Sequence, residues 1–396
     1  MHAQRIIQDL ILKQYPAVHA KRRDCLAKVS SAAVHGGLSL IRMSKALDSR
    51  SDLRHRIKCC DRLLSNSHLQ DERTGLYRAM AARVLARQTQ VGIVVDWSDM
   101  LPDCSMQLLR AAVMVQGRAI VLYEELHPRA HYASARVHRD FMKNLRLVLP
   151  AHCRPVIVTD AGFRAPWFQM LSKLGFDWIG RIRNRDMVRP AITQCWVGCK
   201  SCYADTKGRA LDLGQFDYVR SNPTPCRLVL YKKRPCGRTV KTVHGKPCVS
   251  KKSNSNRKVQ HEPWLLALAP SLATMSADQA VKLYAGRMQI EQTFRDLKNP
   301  QWGMGMRDSQ TRKRHRLAIL LLIAALATYA LWLIGLTALG QGYRLAYGSA
   351  KKSASTLSIL SLARHWLTDR NALQFRYCLY NQAENELMDR VKTYEI

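Results

Sequence analysis

The chain of 396 residues carries 63 Lys and Arg against 29 Asp and Glu, a formal net charge of +34, with 47% hydrophobic and 23% charged residues. That balance is ordinary for globular chains and excludes a disordered or collagen-like polymer, and at roughly 150 residues per domain it leaves room for two or three domains. A cationic excess of this size repels itself in a compact state, so it points to a polyanionic partner, nucleic acid first and an anionic membrane surface second.

The opening MHAQRIIQDLILKQYP places Asp9 and Lys13 within its first turns and lacks a small-residue cleavage site, so it does not read as a secretory signal. The 12 cysteines are scattered without the paired spacing of a secreted scaffold, which fits a reducing cytosol. Residues 1–88 read as helical, with apolar positions recurring at three and four. Within them, LSLIRMSKAL (38–47) is followed, across a short polar turn, by a helix starting behind Ser51 that carries Arg54, Arg56, Lys58 and Arg62. Two short helices with the second basic have the layout of a helix-turn-helix DNA reader, and equally of a bundle with one solvated basic face.

From Val91 the period changes. VGIVVDW reads as a buried strand ending near Asp96, and RAAVMVQG with RAIVLYEEL reads as a hairpin turning at Gln116-Gly117. RDFMKNLRLVLP is a helix, RPVIVTDAGF a buried strand ending at Asp160, APWFQMLSKLG a helix and DWIGRIRN a further strand. Residues 89–190 are therefore the first part of a mixed α/β core.

Residues 191–262 read as a β-rich basic insertion with one clear strand, CRLVLYKKR, and a mobile loop lacking acidic residues between Tyr218 and Gln260. Its Lys232, Lys233, Arg234, Lys251 and Lys252 suit a phosphate backbone. Cys195, Cys199 and Cys202 could begin a zinc site, but Cys226, Cys236, His244, Cys248 and His261 match no zinc template downstream, and reduced structural cysteines are the favoured reading. The core resumes over 263–345 with the strand PWLLALA and a helix from Ser276 to Pro300. Leu317–Leu339 follows without a charge, long enough to span a bilayer, and the favoured reading is a helix buried on all sides. Residues 346–396 form a C-terminal helical region.

Three carboxylates stand out. Asp96 and Asp160 close apolar strands, the place where open α/β sheets present ligands. Asp99 competes with Asp96, but an odd offset sends it to the opposite face of a continuing strand. On the 276–300 helix, Tyr284, Arg287, Glu291 and Lys298 lie at offsets 0, 3, 7 and 14, within roughly 60° of one another at about 100° per residue. Such a stripe is either a solvated salt-bridge ladder or a carboxylate flanked by phosphate-holding cations. Two strand Asp and a helix Glu supply hard oxygen ligands for two Mg²⁺ ions, with Mn²⁺ as substitute, in phosphoryl transfer.

The string Y-x2-R-x3-E-x6-K, with VVDWSD, VTDAGF and RMQIEQTFRDLK in that chain order, resembles the signature of bacterial insertion-sequence DDE transposases of the insertion-sequence-four family. The resemblance covers nearly the whole chain. It implies an α/β, RNase H-like mixed sheet core interrupted by a β-rich insertion, with helical N-terminal and C-terminal regions. It also implies a triad of Asp96, Asp160 and Glu291 on two Mg²⁺, and cut-and-paste transposition through a hairpin at the transposon end. Tyr284, Arg287 and Lys298 would hold transposon-end phosphates, Trp264 would offer a stacking face for an unstacked base, and Met288 would be the wedge; for the last two, core packing is the plainer alternative. The partners expected are double-stranded DNA, as terminal inverted repeats and target, and a second protomer in a synaptic homodimer. The expected location is the bacterial cytoplasm at the nucleoid, with no membrane. Competing readings are a non-catalytic DNA-binding protein, a single-span membrane protein and a structure-specific nuclease that never joins strands.

Overall fold

A computed structural model describes residues 2–183, 186–206, 208–232, 262–348, 357–369 and 376–392. The chain divides into two compact units, Met1–Pro155 with Arg287–Glu395, and Val156–Gly286.

The first unit opens with α1 (His2–Gln14), α2 (Ala20–Gly36), α3 (Leu40–Ala46), α4 (Leu53–Leu64) and α5 (Ser67–Val84), as the helical period of residues 1–88 predicts. An antiparallel meander follows, β1 (Gln90–Asp99), β2 (Met106–Val115) and β3 (Arg118–Pro128), covered by α6 (Ala135–Val148). The hairpin turns where the sequence places it, with Val115 paired to Arg118 and Gly117 at φ +88°, a conformation that costs glycine no Cβ clash. Beyond the second unit, the chain returns as α9 (Met288–Lys298), α10 (Arg314–Gly340), α11 (Tyr343–Tyr347), α12 (Ile359–Thr368) and α13 (Tyr377–Lys392). The apolar α10 is long enough to cross a membrane, yet 94% of its most hydrophobic window is buried against other parts of the chain. It packs on α1, α2, α5, α12, α13 and β3, so its uniform hydrophobicity is that of a helix with neighbours all round.

The second unit is a mixed sheet. β4 (Arg154–Thr159) runs parallel to β5 (Asp177–Ile182) across α7 (Ala165–Lys173), the connection that a parallel pair requires. β10 (Trp264–Leu268) pairs antiparallel with β5 and with β9 (Thr224–Tyr231). β8 (Leu211–Tyr218), β6 (Met187–Pro190) and β7 (Val197–Gly198) extend it by antiparallel pairing. Among the described residues of 191–262, β7, β8 and β9 are strands, more than the single one legible in the sequence. α8 (Ala277–Gly286) starts behind Ser276, whose Oγ accepts from the Gln279 amide at 3.1 Å while the Gln279 side chain accepts from the Ser276 amide at 2.8 Å.

Candidate active site

Asp96 is placed by burial and register. Val91–Val95 are buried on both faces of β1, and Asp96 is the first residue beyond them to emerge. The strand does not close there, contrary to the sequence reading. Pairing with β2 continues to Asp99, opposite Gln107, because Met106–Leu109 extends β2 ahead of Arg110. The odd offset separates the two aspartates as expected: the Asp99 carboxylate accepts from Gln107 Nε2 at 2.6 Å and lies 3.7 Å from Arg129. Ser98 shares the parity of Asp96 and receives the ammonium of Lys298 at 2.7 Å, so α9 lies over that face.

The continuous helix expected from Ser276 to Pro300 is two helices. The hydrogen-bond ladder breaks at Arg287, directly after Gly286, although Arg287 keeps helical angles of φ −51° and ψ −35°. Glycine is a weak helix former, and the break coincides with the unit boundary. Tyr284 therefore belongs to the second unit, while Arg287, Glu291 and Lys298 keep one face of the first.

On that face Arg287 joins two carboxylates. Its Nη1 lies 3.5 Å from Asp96 Oδ2 and its Nη2 lies 3.2 Å from Glu291 Oε1. The Asp96 Oδ1 accepts from the Trp97 amide at 2.8 Å. The side chains of Arg287 and Asp96 are 12% and 16% exposed, whereas Glu291 is 45% exposed and reachable from solvent. Two carboxylates on neighbouring elements repel, and the guanidinium between them compensates that repulsion. Burial pushes the Lys298 ammonium down to about 8, assisted by Arg307 and Arg110 and opposed by Asp99. Met288 beside Arg287 is 47% exposed, as a wedge would have to be.

Polar residues that the sequence reading missed dock α9 onto the hairpin. Gln289 Oε1 accepts from the Val115 amide at 3.0 Å, and Thr293 Oγ1 accepts from the Ala119 amide at 3.2 Å. Arg118 reaches Asp296 at 2.6 Å. A second missed feature is the ladder Asp96, Arg110, Glu124 across β1, β2 and β3, in which Arg110 and Glu124 form a buried ion pair at 2.7 Å. On the other parity of β1, the Trp97 indole donates to His138 at 3.1 Å. Burial lowers the His138 imidazole to about 4, with His127 adding to the effect, so it accepts as the neutral ring.

In the second unit, Asp160 directly follows β4, and its Oδ1 accepts from the Gly162 amide at 2.8 Å. Trp264 begins β10 half-buried, its ring centroid 5.7 Å from that of Tyr231 and 5.0 Å from that of Tyr284. Tyr284 is buried against it, 4% exposed. Lys232 is exposed; Lys233, Arg234, Lys251 and Lys252 lie outside the described residues, as do Cys236, His244, Cys248 and His261. In the helical region Arg54 and Lys58 are exposed on α4, which starts behind Asp52 and not Ser51. Arg56 instead turns back to the carbonyls of Lys45 and Leu47 at 3.3 and 3.4 Å, closing the end of α3.

Among the described residues, no three Asp, Glu, His or Cys side chains gather at a metal-sized site. The structure brings Asp96 and Glu291 together through Arg287, and Asp160 stands in the other unit. Hard oxygen donors that already face one shared cation fit a hard divalent ion.

A family model described as a transposase DDE domain matches residues 107–328, more than half of the chain. The match contains Asp160 and Glu291 and begins on β2, beyond Asp96. No curated protein matches the chain.

Proposed function

The chain belongs to the transposase DDE family, enzymes that cleave DNA and transfer strands, and from that premise we propose that it moves an insertion sequence by cutting at terminal inverted repeats and joining the freed ends to target DNA. Its α/β fold is the RNase H-like fold of that family. The proposal places the chain in the insertion-sequence-four branch, with Tyr284, Arg287, Glu291 and Lys298 as its signature and a hairpin as the intermediate at the transposon end.

The observation that carries the reading is the guanidinium of Arg287 held between Asp96 and Glu291. DDE transposases use divalent metals, and Asp96, Glu291 and Asp160 would hold two Mg²⁺ ions, or Mn²⁺ in their place. Ions held by these carboxylates would supply charge neutralisation at the reacting phosphate and would ease ionisation of the attacking hydroxyl. The protein's own part is positioning. Lys298 and Arg287 present cations to the phosphates flanking the cut, and a phosphate beside Lys298 favours its charged form against the burial that depresses it. Met288, exposed next to Arg287, intrudes on the base stack. Trp264, half-buried at the start of β10, stacks the displaced base. Arg54 and Lys58 on α4, with Lys232, grip the backbone farther along. A synaptic homodimer holds two ends, and the nucleoid in the cytoplasm is the place of action.

Single replacement of Asp96, Asp160 or Glu291 by Ala tests the triad. The expected result is unchanged binding to terminal repeats with nicking and strand transfer both lost; metal-dependent cleavage that survives in any one variant removes that residue from the site. A pre-cleaved end joined to target by the unmodified protein separates transposition from plain nuclease activity.

A further inference from the structure

The first unit contains a cavity of about 90 Å³ walled by β3, α9, α10, the beginning of α12 and the Arg110 side chain from β2. Its charges do not balance. Arg110 is paired with Glu124, and Arg118 with Asp296 at 2.6 Å. Arg364, from α12, donates to the carbonyls of Trp302 and Gly303 at 2.5 and 3.3 Å and forms no ion pair with a carboxylate among the described residues. Asp296 is the carboxylate that Arg364 senses, and burial outweighs it, holding the guanidinium below its ordinary value. The Arg110 side chain is 2% exposed, and its Nη1 has no hydrogen-bond partner. Ser358, which also lines the cavity, caps α12 by accepting from the Ser361 amide at 3.1 Å, so the positive end of that helix adjoins the same space.

We propose that this cavity binds one small oxyanion of the phosphate class, held by Arg364, the spare Nη1 of Arg110 and the start of α12. Among the described residues the Arg364 guanidinium is met only by neutral acceptors, the carbonyls of Trp302 and Gly303 and the Met304 sulfur, so its charge is left without a counter-charge and favours an anion beside it. A water needs about 10–15 Å³ of such volume, so the space suits a tetrahedral anion with its oxygens spread toward several donors. It has no room for a nucleotide, so the anion is free phosphate and not part of a strand. Bound there, it ties α12 to β2, whose Arg110 stands opposite Asp96. The site is separate from the Asp96–Glu291 pair and does not depend on the transposition reading.

Thermal unfolding of the full chain tests the proposal. In about 10 mM phosphate the melting temperature should rise by about 3–6 °C over chloride of equal ionic strength. Ala325→Leu, which fills the cavity from α10, should abolish the rise, and so should Arg364→Met. Phosphorus NMR line broadening should disappear in the same variants. No rise above chloride in the unmodified protein would mean that the cavity holds only water. A full rise retained in either folded variant would place the phosphate on the basic surface. Each of those two results overturns the proposal.

Discussion

The buried pair beneath the candidate site gives the sharpest energetic prediction. Arg110 Nη2 and Nε lie 2.7 and 2.8 Å from Glu124 Oε2, with side chains 2% and 1% exposed. Tyr77 donates its hydroxyl to Glu124 Oε1 at 2.9 Å, and the Phe294 ring lies 4.8 Å from the Arg110 guanidinium carbon. Glu124→Ala leaves a buried charge uncompensated, which costs about 3–5 kcal/mol. It also strands the Tyr77 hydroxyl, for a further 1–3 kcal/mol or so. Apolar replacement of the whole network removes the reason for both losses. The triple variant Arg110→Met, Glu124→Leu, Tyr77→Phe should return to within about 2 kcal/mol of the unmodified chain. Urea unfolding followed by circular dichroism reads both numbers. A loss below about 1 kcal/mol in Glu124→Ala would refute the reasoning, because a buried unpaired guanidinium cannot be that cheap. A triple variant as unstable as the single one would also refute it, since shape and not charge would then dominate. DNA cleavage by the restored triple variant should still fall, because Asp96 loses its cationic cross-strand neighbour.

Three further outcomes follow from the titrating and docking groups. His138 is held neutral with its imidazole lowered to about 4, so the unfolded chain takes up its proton first; the stability involved is complete above pH 6.5 and is lost as pH falls through 4, by about 3 kcal/mol at most. His138→Gln should flatten that acid limb in urea unfolding; an unchanged limb would discard His138 as its source. Lys298 titrates near 8 in the free protein, so its attraction for DNA fades as pH rises above that value. Fluorescence anisotropy should show a weaker pH dependence for Lys298→Arg, and identical slopes would remove Lys298 from the phosphate contacts. Gln289→Ala should cost about 1–3 kcal/mol by stranding the Val115 amide; a negligible change in urea unfolding would show that α9 does not depend on this anchor.

Much of the fold was legible because burial imposes a period. The run from Val91 to Val95 reads as a strand covered on both faces, and Gln116-Gly117 reads as a turn because few residues tolerate φ +88°. Asp160 was legible as the residue just past a strand, whereas Asp96 was legible only as the first residue beyond the buried run, since β1 itself continues to Asp99. The break at Arg287 was not legible, since glycine is tolerated in many unbroken helices and Arg287 itself keeps helical angles. The Arg110–Glu124 pair was hidden differently. Arg110 reads as the polar start of a strand, and only the added pairing of Met106–Leu109 moves it into the interior. Gln289 and Thr293 were not legible, because nothing in a local sequence says that two hairpin amides lie above them.

The helix break bears on how the site is assembled. A stripe drawn on one unbroken helix would carry the buried ring of Tyr284 and the carboxylate of Glu291 as a rigid set. With the ladder interrupted at Arg287, Tyr284 is fixed by Trp264 in one unit, while Glu291 is fixed through Gln289, Thr293 and Asp296 in the other. The four signature residues then answer to two separate sets of anchors. Arg287, the first residue of the second set, is the one whose side chain couples the helix to Asp96. The consequence for mutagenesis is specific: Thr293→Val loosens Glu291 without touching the surroundings of Tyr284, whereas Trp264→Leu does the reverse. Cleavage and end binding should therefore respond differently to the two changes, the first lowering cleavage at constant affinity and the second lowering affinity. Equal loss of both activities in both variants would mean that the signature acts as one rigid element despite the interrupted ladder.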